Sequence, residues 1–211
     1  MKPDTPDDLK AALKALKGAY RETKTRTEQR VCRWQWATGR YVSLIPFEQE
    51  RDQVARGKLL GSEPKAPKNV HAFGFDDQDR LVVICKFGPD GKAQMEEFTE
   101  YSGDKSLSRV YLAAGKRPGG VAEMTVAGGS PLEMRSLGSE GDYLRERYQY
   151  AAGRLESIDV EQFDALVKRT FTSRVEFAYD DKAGTGQAIH IDSAGKRTVQ
   201  STFAIEPGRA R

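Results

Sequence analysis

Turn signals recur at a nearly constant step through the middle of this chain. Asp79, Gly91, Gly103, Gly115, Gly128, the Gly138-to-Gly141 segment and Gly153 follow one another at intervals of about twelve residues. That spacing indicates short strands joined by tight turns, which is antiparallel β structure. The strands expected from it lie near 70–75, 81–87, 94–101, 107–112, 121–126, 132–136, 143–150 and 154–158. Leu81 to Phe87 is apolar at most positions of both faces, as in a central strand covered on two sides. In 143–150, Leu144, Tyr148 and Tyr150 alternate with Arg145, Arg147 and Gln149, so the first three face inward.

The turns share a chemistry. Tyr148-Gln149-Tyr150-Ala151-Ala152-Gly153-Arg154-Leu155 is matched almost residue for residue by Trp34-Gln35-Trp36-Ala37-Thr38-Gly39-Arg40-Tyr41. Alternating aromatics put two rings on one strand face, and the small residues with glycine make the turn. A type I turn closed by a left-handed glycine is the expected connection. Gly91-Lys92, Gly115-Lys116 and Gly195-Lys196 repeat the pattern, and Asp79-Arg80 does so with Asp in the glycine position.

Helices flank the meander. Thr5 can cap a helix over 6–21, Pro6 suits its first position, and Asp7 and Asp8 suit the positive end of its dipole. Leu9, Leu13, Leu16 and Tyr20 share its apolar face. A second short helix is expected over 160–168, capped by Asp159, with Val160, Phe163, Leu166 and Val167 facing the sheet. Residues 46–68 read as a long charged loop with a helical turn across Glu48 to Arg56. C-terminal strands are expected within 174–204, and the tail from Glu206 should fray.

The chain is therefore expected to be one α+β domain over 1–211. Its centre is a large antiparallel β-meander sheet, twisted or partly closed, with the N-terminal helix and the second short helix packed on it.

Phe177-Ala178-Tyr179-Asp180, and Tyr148-Gln149-Tyr150 with Gly153-Arg154-Leu155, resemble the YD repeats of Rhs-type toxins and teneurins. The Asp after the second aromatic is replaced by Ala37 and Ala151 in the two matched octets, so no unit carries the whole motif. The resemblance implies extended antiparallel sheet built from consecutive hairpins. It implies no catalytic residue, because the family repeat is a structural shell.

Composition and motifs narrow the function classes. A net charge of +3 with both signs abundant does not argue for nucleic acid. No apolar run approaches a membrane span, and Met1-Lys2-Pro3-Asp4 lacks the order of a secretion signal, so a cytoplasmic location is expected. Cys32 and Cys85 lack metal spacing and are expected to be free thiols. His71 and His190 lie on separate strands, and His190 is expected to point away from Ile189 and Ile191 toward solvent. Gly184 and Gly186 lack the Lys-Ser/Thr of a phosphate loop. No metal or cofactor is expected.

Carboxylates cluster at Glu96, Glu97, Glu100 and Asp104, and again at Glu133, Glu140 and Asp142. The denser first cluster is the candidate partner-binding surface. The resulting expectation is a non-catalytic protein-binding module, in its concrete form a bacterial immunity protein that neutralises a cognate toxin domain. The genes of Rhs-type sequences travel with such inhibitors. Two other readings stay open at this point: an enzyme with a carboxylate site in the sheet concavity, and a nucleic-acid-binding module with aromatics that stack on bases.

Overall fold

A computed structural model of the chain describes residues 6–112 and 116–205. Thr5, the Gly115 turn and the tail from Glu206 lie outside the described residues. Three helices, α1 (Asp7–Ala15), α2 (Tyr20–Glu28) and α3 (Glu48–Arg51), accompany one sheet. Its first strands are β1 (Arg33–Ala37), β2 (Leu59–Leu60), β3 (His71–Phe75), β4 (Leu81–Phe87), β5 (Ala93–Ser102) and β6 (Lys105–Leu112). The later strands are β7 (Arg117–Ala127), β8 (Ser130–Gly138), β9 (Tyr143–Ala151), β10 (Arg154–Asp164), β11 (Arg169–Asp180), β12 (Thr185–Ile191) and β13 (Arg197–Ala204). From β3 to β13 each strand pairs with the next, and β1 then lies between β3 and β2. The ladders are antiparallel. The sheet stays open, with β13 and β2 as its edges.

Turn chemistry explains why the chain reverses where it does. Four connections share one pair of backbone hydrogen bonds. At the first, Asp76 N–H donates to Arg80 O and Asp79 N–H donates to Asp76 O. The same pair recurs at Gly88/Lys92 with Gly91, at Gly138/Asp142 with Gly141, and at Asp192/Lys196 with Gly195. This is the type I turn closed by a left-handed residue, and Asp79, Gly91, Gly141 and Gly195 have φ of 59°, 75°, 95° and 82°. The connection at Gly153 is tighter. Ala151 and Arg154 pair directly, and Ala152 and Gly153 both have positive φ, which is a two-residue type I′ turn.

The matched octet at 34–41 does not make a hairpin. β1 pairs with β3 and β2 instead of with the residues that follow it. Gly39 serves a close approach: a Cβ on Gly57 would stand 2.5 Å from the Gly39 carbonyl. Thr38 N–H donates to Lys58 O and Gly57 N–H to Arg40 O, both at 2.9 Å. These bonds close the base of a loop over 38–58, which acts as a plug on one face of the sheet.

That plug requires the sheet to curl. Leu44 packs against the cluster of Ala37, Phe73, Phe75, Leu81 and Ile84 on β1, β3 and β4. The Phe47 ring lies 4.7 Å from the Phe177 ring of β11. β4 and β11 are seven positions apart in the strand order, or about 34 Å on a flat sheet at roughly 4.8 Å per strand. The three residue steps from Leu44 to Phe47 span at most about 10 Å, so only a curved face can meet both.

The opposite face is covered in part by α1 and α2, which pack on β4, β5, β7 and β8. Leu9 and Leu16 join Val83, Phe98, Tyr111 and Val121 in its core. The expected single helix over 6–21 is broken by Gly18, whose φ is 80°. The chain then restarts as α2, a helix with little apolar character because its contacts with the sheet are polar.

The expected helix over 160–168 is replaced by strand and turn. Residues up to Asp164 belong to β10, and β11 begins at Arg169. Val160 and Phe163 stand on opposite faces, Phe163 in the core under α1 and Val160 in the core under the plug. Both faces of β10 are covered there, and apolar residues on both faces of a strand imitate helical spacing. Leu166 is 90% exposed. Asp164 Oδ1 accepts from Leu166 and Val167 N–H, and Lys168 has φ 53°, so this segment is a turn.

Candidate functional site

The four carboxylates singled out in the sequence do not form one surface. Strand alternation sends Glu96 and Glu97 to opposite faces of β5. Glu96 lies beneath α2 and is 1% exposed. Tyr20 OH donates to its Oε2 and Lys24 Nζ to its Oε1, both at 2.5 Å. Burial and then Glu96 push the Tyr20 phenol up to about 12. Burial lowers the Lys24 ammonium, but its contact with Glu96 outweighs that and raises it. The Cys85 thiol, 3.8 Å from Glu96 Oε1, is pushed up to about 12 by burial and by that carboxylate. Cys32 is free and exposed, and Cys85 is free and buried.

Glu97 faces the plug. Burial raises its carboxyl above the usual range against the opposing hydrogen bond from Ser108. Glu100 returns to the helical side and is shared by Arg26 and Arg109. Burial works against its ionisation, but the two guanidinium groups hold its carboxyl below the usual range. Asp104 alone of the four is exposed, in the two-residue turn between β5 and β6. The separation follows from a two-sided cover, which an acidic run of sequence does not announce.

The concave side carries a polar centre that the sequence reading passed over. Glu146 is 2% exposed on β9. Arg51 of α3 grips both its carboxylate oxygens, and Tyr148 OH donates to Oε2 at 2.6 Å. Burial and Glu146 push the Tyr148 phenol upward. The alternation of Leu144, Tyr148 and Tyr150 marks this face as inward, and Glu146 occupies the position between them. That was the available signal. The plug, which includes α3, occupies the concavity and leaves a cavity of about 280 Å³ beside Pro131, Tyr150 and Leu155, and Glu146 and Glu97 lie on the sheet face that it covers.

The helical face is different over β9 to β13. Here the outward side chains form a polar ladder. Arg145 and Arg147 pair with Glu133, Arg174 with Asp159, and Arg197 with Glu176. Arg174 also donates to Ser157 Oγ at 2.7 Å and Gln149 Oε1 at 2.8 Å. At the β12–β13 end the register places Glu176, Ile189 and Val199 in one row, and Arg174, Ile191 and Arg197 in the next. Val199 is 54% exposed, and Ile189 and Ile191 are partly exposed. The same register turns half-buried His190 toward Val175 and the packed side, whereas the isoleucines face outward. This reverses the sequence expectation for His190. The alternation identified two faces, but only the packing shows which one is covered.

Among the described residues, no group of three or more His, Cys, Asp and Glu side chains could hold a metal ion, and no helix is long and apolar enough to cross a membrane. Neither a protein-family model nor a curated protein matches the chain.

Proposed function

We propose that this chain is a non-catalytic protein-binding module that engages its partner through the outward face of β11, β12 and β13. One observation carries the reading. Ile189, Ile191 and Val199 form an apolar cluster on a strand face away from the plug, rimmed by Arg174, Glu176 and Arg197. An apolar centre with a charged rim is the anatomy of a protein interface, and aliphatic side chains grouped on an exposed strand face mark a contact site more often than isolated ones do.

The buried ionisable groups support the same reading. Glu96 and Glu146 are held in ion pairs by Lys24 and Arg51, and each accepts a phenol hydroxyl. Such groups organise the interior between the sheet and its covers. The concrete form of the proposal is an inhibitor of a toxin domain, which rests on the resemblance to Rhs-type sequences.

The test is affinity purification from the source organism with wild type and with Ile189→Lys/Val199→Asp as bait. Both substitutions fall on a polar-rimmed outward face, so the variant should keep its circular dichroism spectrum and urea midpoint. It should lose the partner that wild type retains, with affinity falling tenfold or more, as for central interface residues. A partner retained equally by the folded variant refutes this surface. Substrate turnover by the purified protein refutes the non-catalytic reading.

A further inference from the structure

We propose that the groove beside Trp34 and Trp36 is a binding site for an organic cation, an ammonium or guanidinium group. The groove is built by register. Trp36, Ala72, Cys85 and Glu96 lie opposite one another across β1, β3, β4 and β5 on the helical face. Ala72 is the small member of this row and leaves a depression beside the Trp36 ring. Trp34, two residues away, projects from the same strand face. Phe87 closes one wall, its ring 5.5 Å from that of Trp36. Glu28, at the end of α2, and Glu63, after β2, supply charged walls. The cavity holds about 280 Å³, room for roughly nine waters at about 30 Å³ each.

Three features select a cation. The chain has two tryptophans, and both line this groove. Trp34 is 42% exposed, so much of its indole surface is open at the mouth.

The second feature is charge. Glu28, Glu63 and Glu96 face one internal cation, Lys24. That ammonium is 2.5 Å from Glu96 and 3.5 Å from Glu28. The groove therefore keeps a net negative charge and disfavours an anionic ligand.

The third is the pattern of internal cation–ring contacts. Arg56 lies over Tyr41, Arg33 over Phe75, Arg154 over Tyr179, and Lys24 and Lys116 near Tyr20. Among the described residues neither indole has such a partner, although indole is the best ring for one. An aromatic wall combined with more carboxylates than cations is the chemistry that recognises alkylammonium and guanidinium groups. The site is separate from the outward face of β11 to β13 and does not depend on it.

The tryptophans themselves report occupancy, because fluorescence excited selectively in tryptophan, and not in the eight tyrosines, comes from this groove alone. The intact chain is titrated at constant ionic strength with tetramethylammonium, with N-acetyl-arginine amide, and with the neutral alcohol 3,3-dimethylbutanol. A saturable change is expected with at least one cation, at a concentration tenfold or more below any effect of the alcohol. Tighter binding of tetramethylammonium identifies a free small amine as the ligand type. Tighter binding of the arginine derivative identifies a side chain of a protein partner. Trp34→Ala keeps Trp36 as the reporter and should weaken binding about tenfold, and Glu63→Gln should weaken it about threefold. Both positions are exposed, and an unchanged urea midpoint confirms that the variants fold. The proposal is overturned by the absence of saturation with either cation up to 100 mM, by an equal response to the alcohol, or by unchanged affinity in a folded Trp34→Ala variant.

Discussion

The Arg51–Glu146 pair ties the plug to the curled sheet, and its removal should be felt by the whole fold. Glu146 is 2% exposed, so its charge depends on Arg51 and on the Tyr148 hydroxyl. Arg51→Met keeps most of the side-chain volume and removes the guanidinium. The carboxylate is left desolvated with one donor, and breaking a buried pair in this way costs about 3–5 kcal/mol. That is a large fraction of a typical folding stability of about 5–15 kcal/mol. Arg51→Met/Glu146→Leu removes the stranded charge but leaves the Tyr148 hydroxyl without an acceptor, a residual cost of about 1–3 kcal/mol. Adding Tyr148→Phe should remove that cost and return the protein to near wild-type stability. Urea unfolding at pH 7, read as the stability extrapolated to water, ranks the four proteins: wild type and triple variant highest, double variant next, single variant lowest. A single variant within about 1 kcal/mol of wild type shows that the pair is effectively solvated. A triple variant no better than the single one shows that Arg51 stabilises by some route other than compensating Glu146.

Three further outcomes follow from particular residues. Gly153→Ala should cost about 1 kcal/mol, because φ there is 76° and no atom lies within 4 Å of the added methyl; Gly57→Ala should cost more, because its methyl would meet the Gly39 backbone at 2.5 Å. Equal urea midpoints for the two variants remove the assigned role of Gly57 at the plug base. A thiol reagent should modify Cys32 in the folded protein and Cys85 only after unfolding, since Cys85 is buried and its thiol is pushed up to about 12; fast modification of both in native buffer contradicts this packing. Burial, with the charges of Arg40 and Lys86, lowers His71 from 6.5 to about 4, so the unfolded chain takes up that proton first as pH falls. The His71 contribution is then complete above pH 6.5 and is lost progressively toward pH 4. His71→Gln should flatten urea stability over that window, and an unchanged slope would assign the pH dependence to other groups.

The candidate surfaces were only partly legible in the sequence. The acidic cluster at Glu96, Glu97, Glu100 and Asp104 is real as a run, but a strand deals its neighbours to opposite faces, and here both faces have covers. The outward Ile189 and Ile191 were visible as an alternating pair, yet alternation has no sign: it separates two faces without saying which is packed. The β11 pairing and the plug supply that sign by placing Val175, Phe177 and Ala188 under Phe47 and its neighbours. The Trp groove lay further out of reach, because Trp36, Ala72, Cys85 and Glu96 come from four separate strands and meet only through their register.

Most reversals of the chain were legible locally, the 34–41 octet being the exception. A left-handed backbone position is a local demand that glycine or aspartate meets at its own site, so Asp79, Gly91, Gly141, Gly153 and Gly195 could be placed without knowing the fold. From those turns the antiparallel meander follows. The apolar face of Leu9, Leu13 and Leu16 also placed α1 on the sheet, but the plug and α2 depended on partners elsewhere in the fold. The octets at 34–41 and 148–155 are nearly alike, yet the second folds as a hairpin while the first leaves the sheet to begin the plug. Their difference lies in distant partners. Gly39 meets the Gly57 backbone, and β1 finds β3 across a long connection. α2 formed with little apolar face for the same reason, since Tyr20, Lys24 and Arg26 find carboxylates on β5. Dihedral preference is a property of a residue, whereas burial belongs to a pair of surfaces, and these surfaces come from separate stretches of the chain.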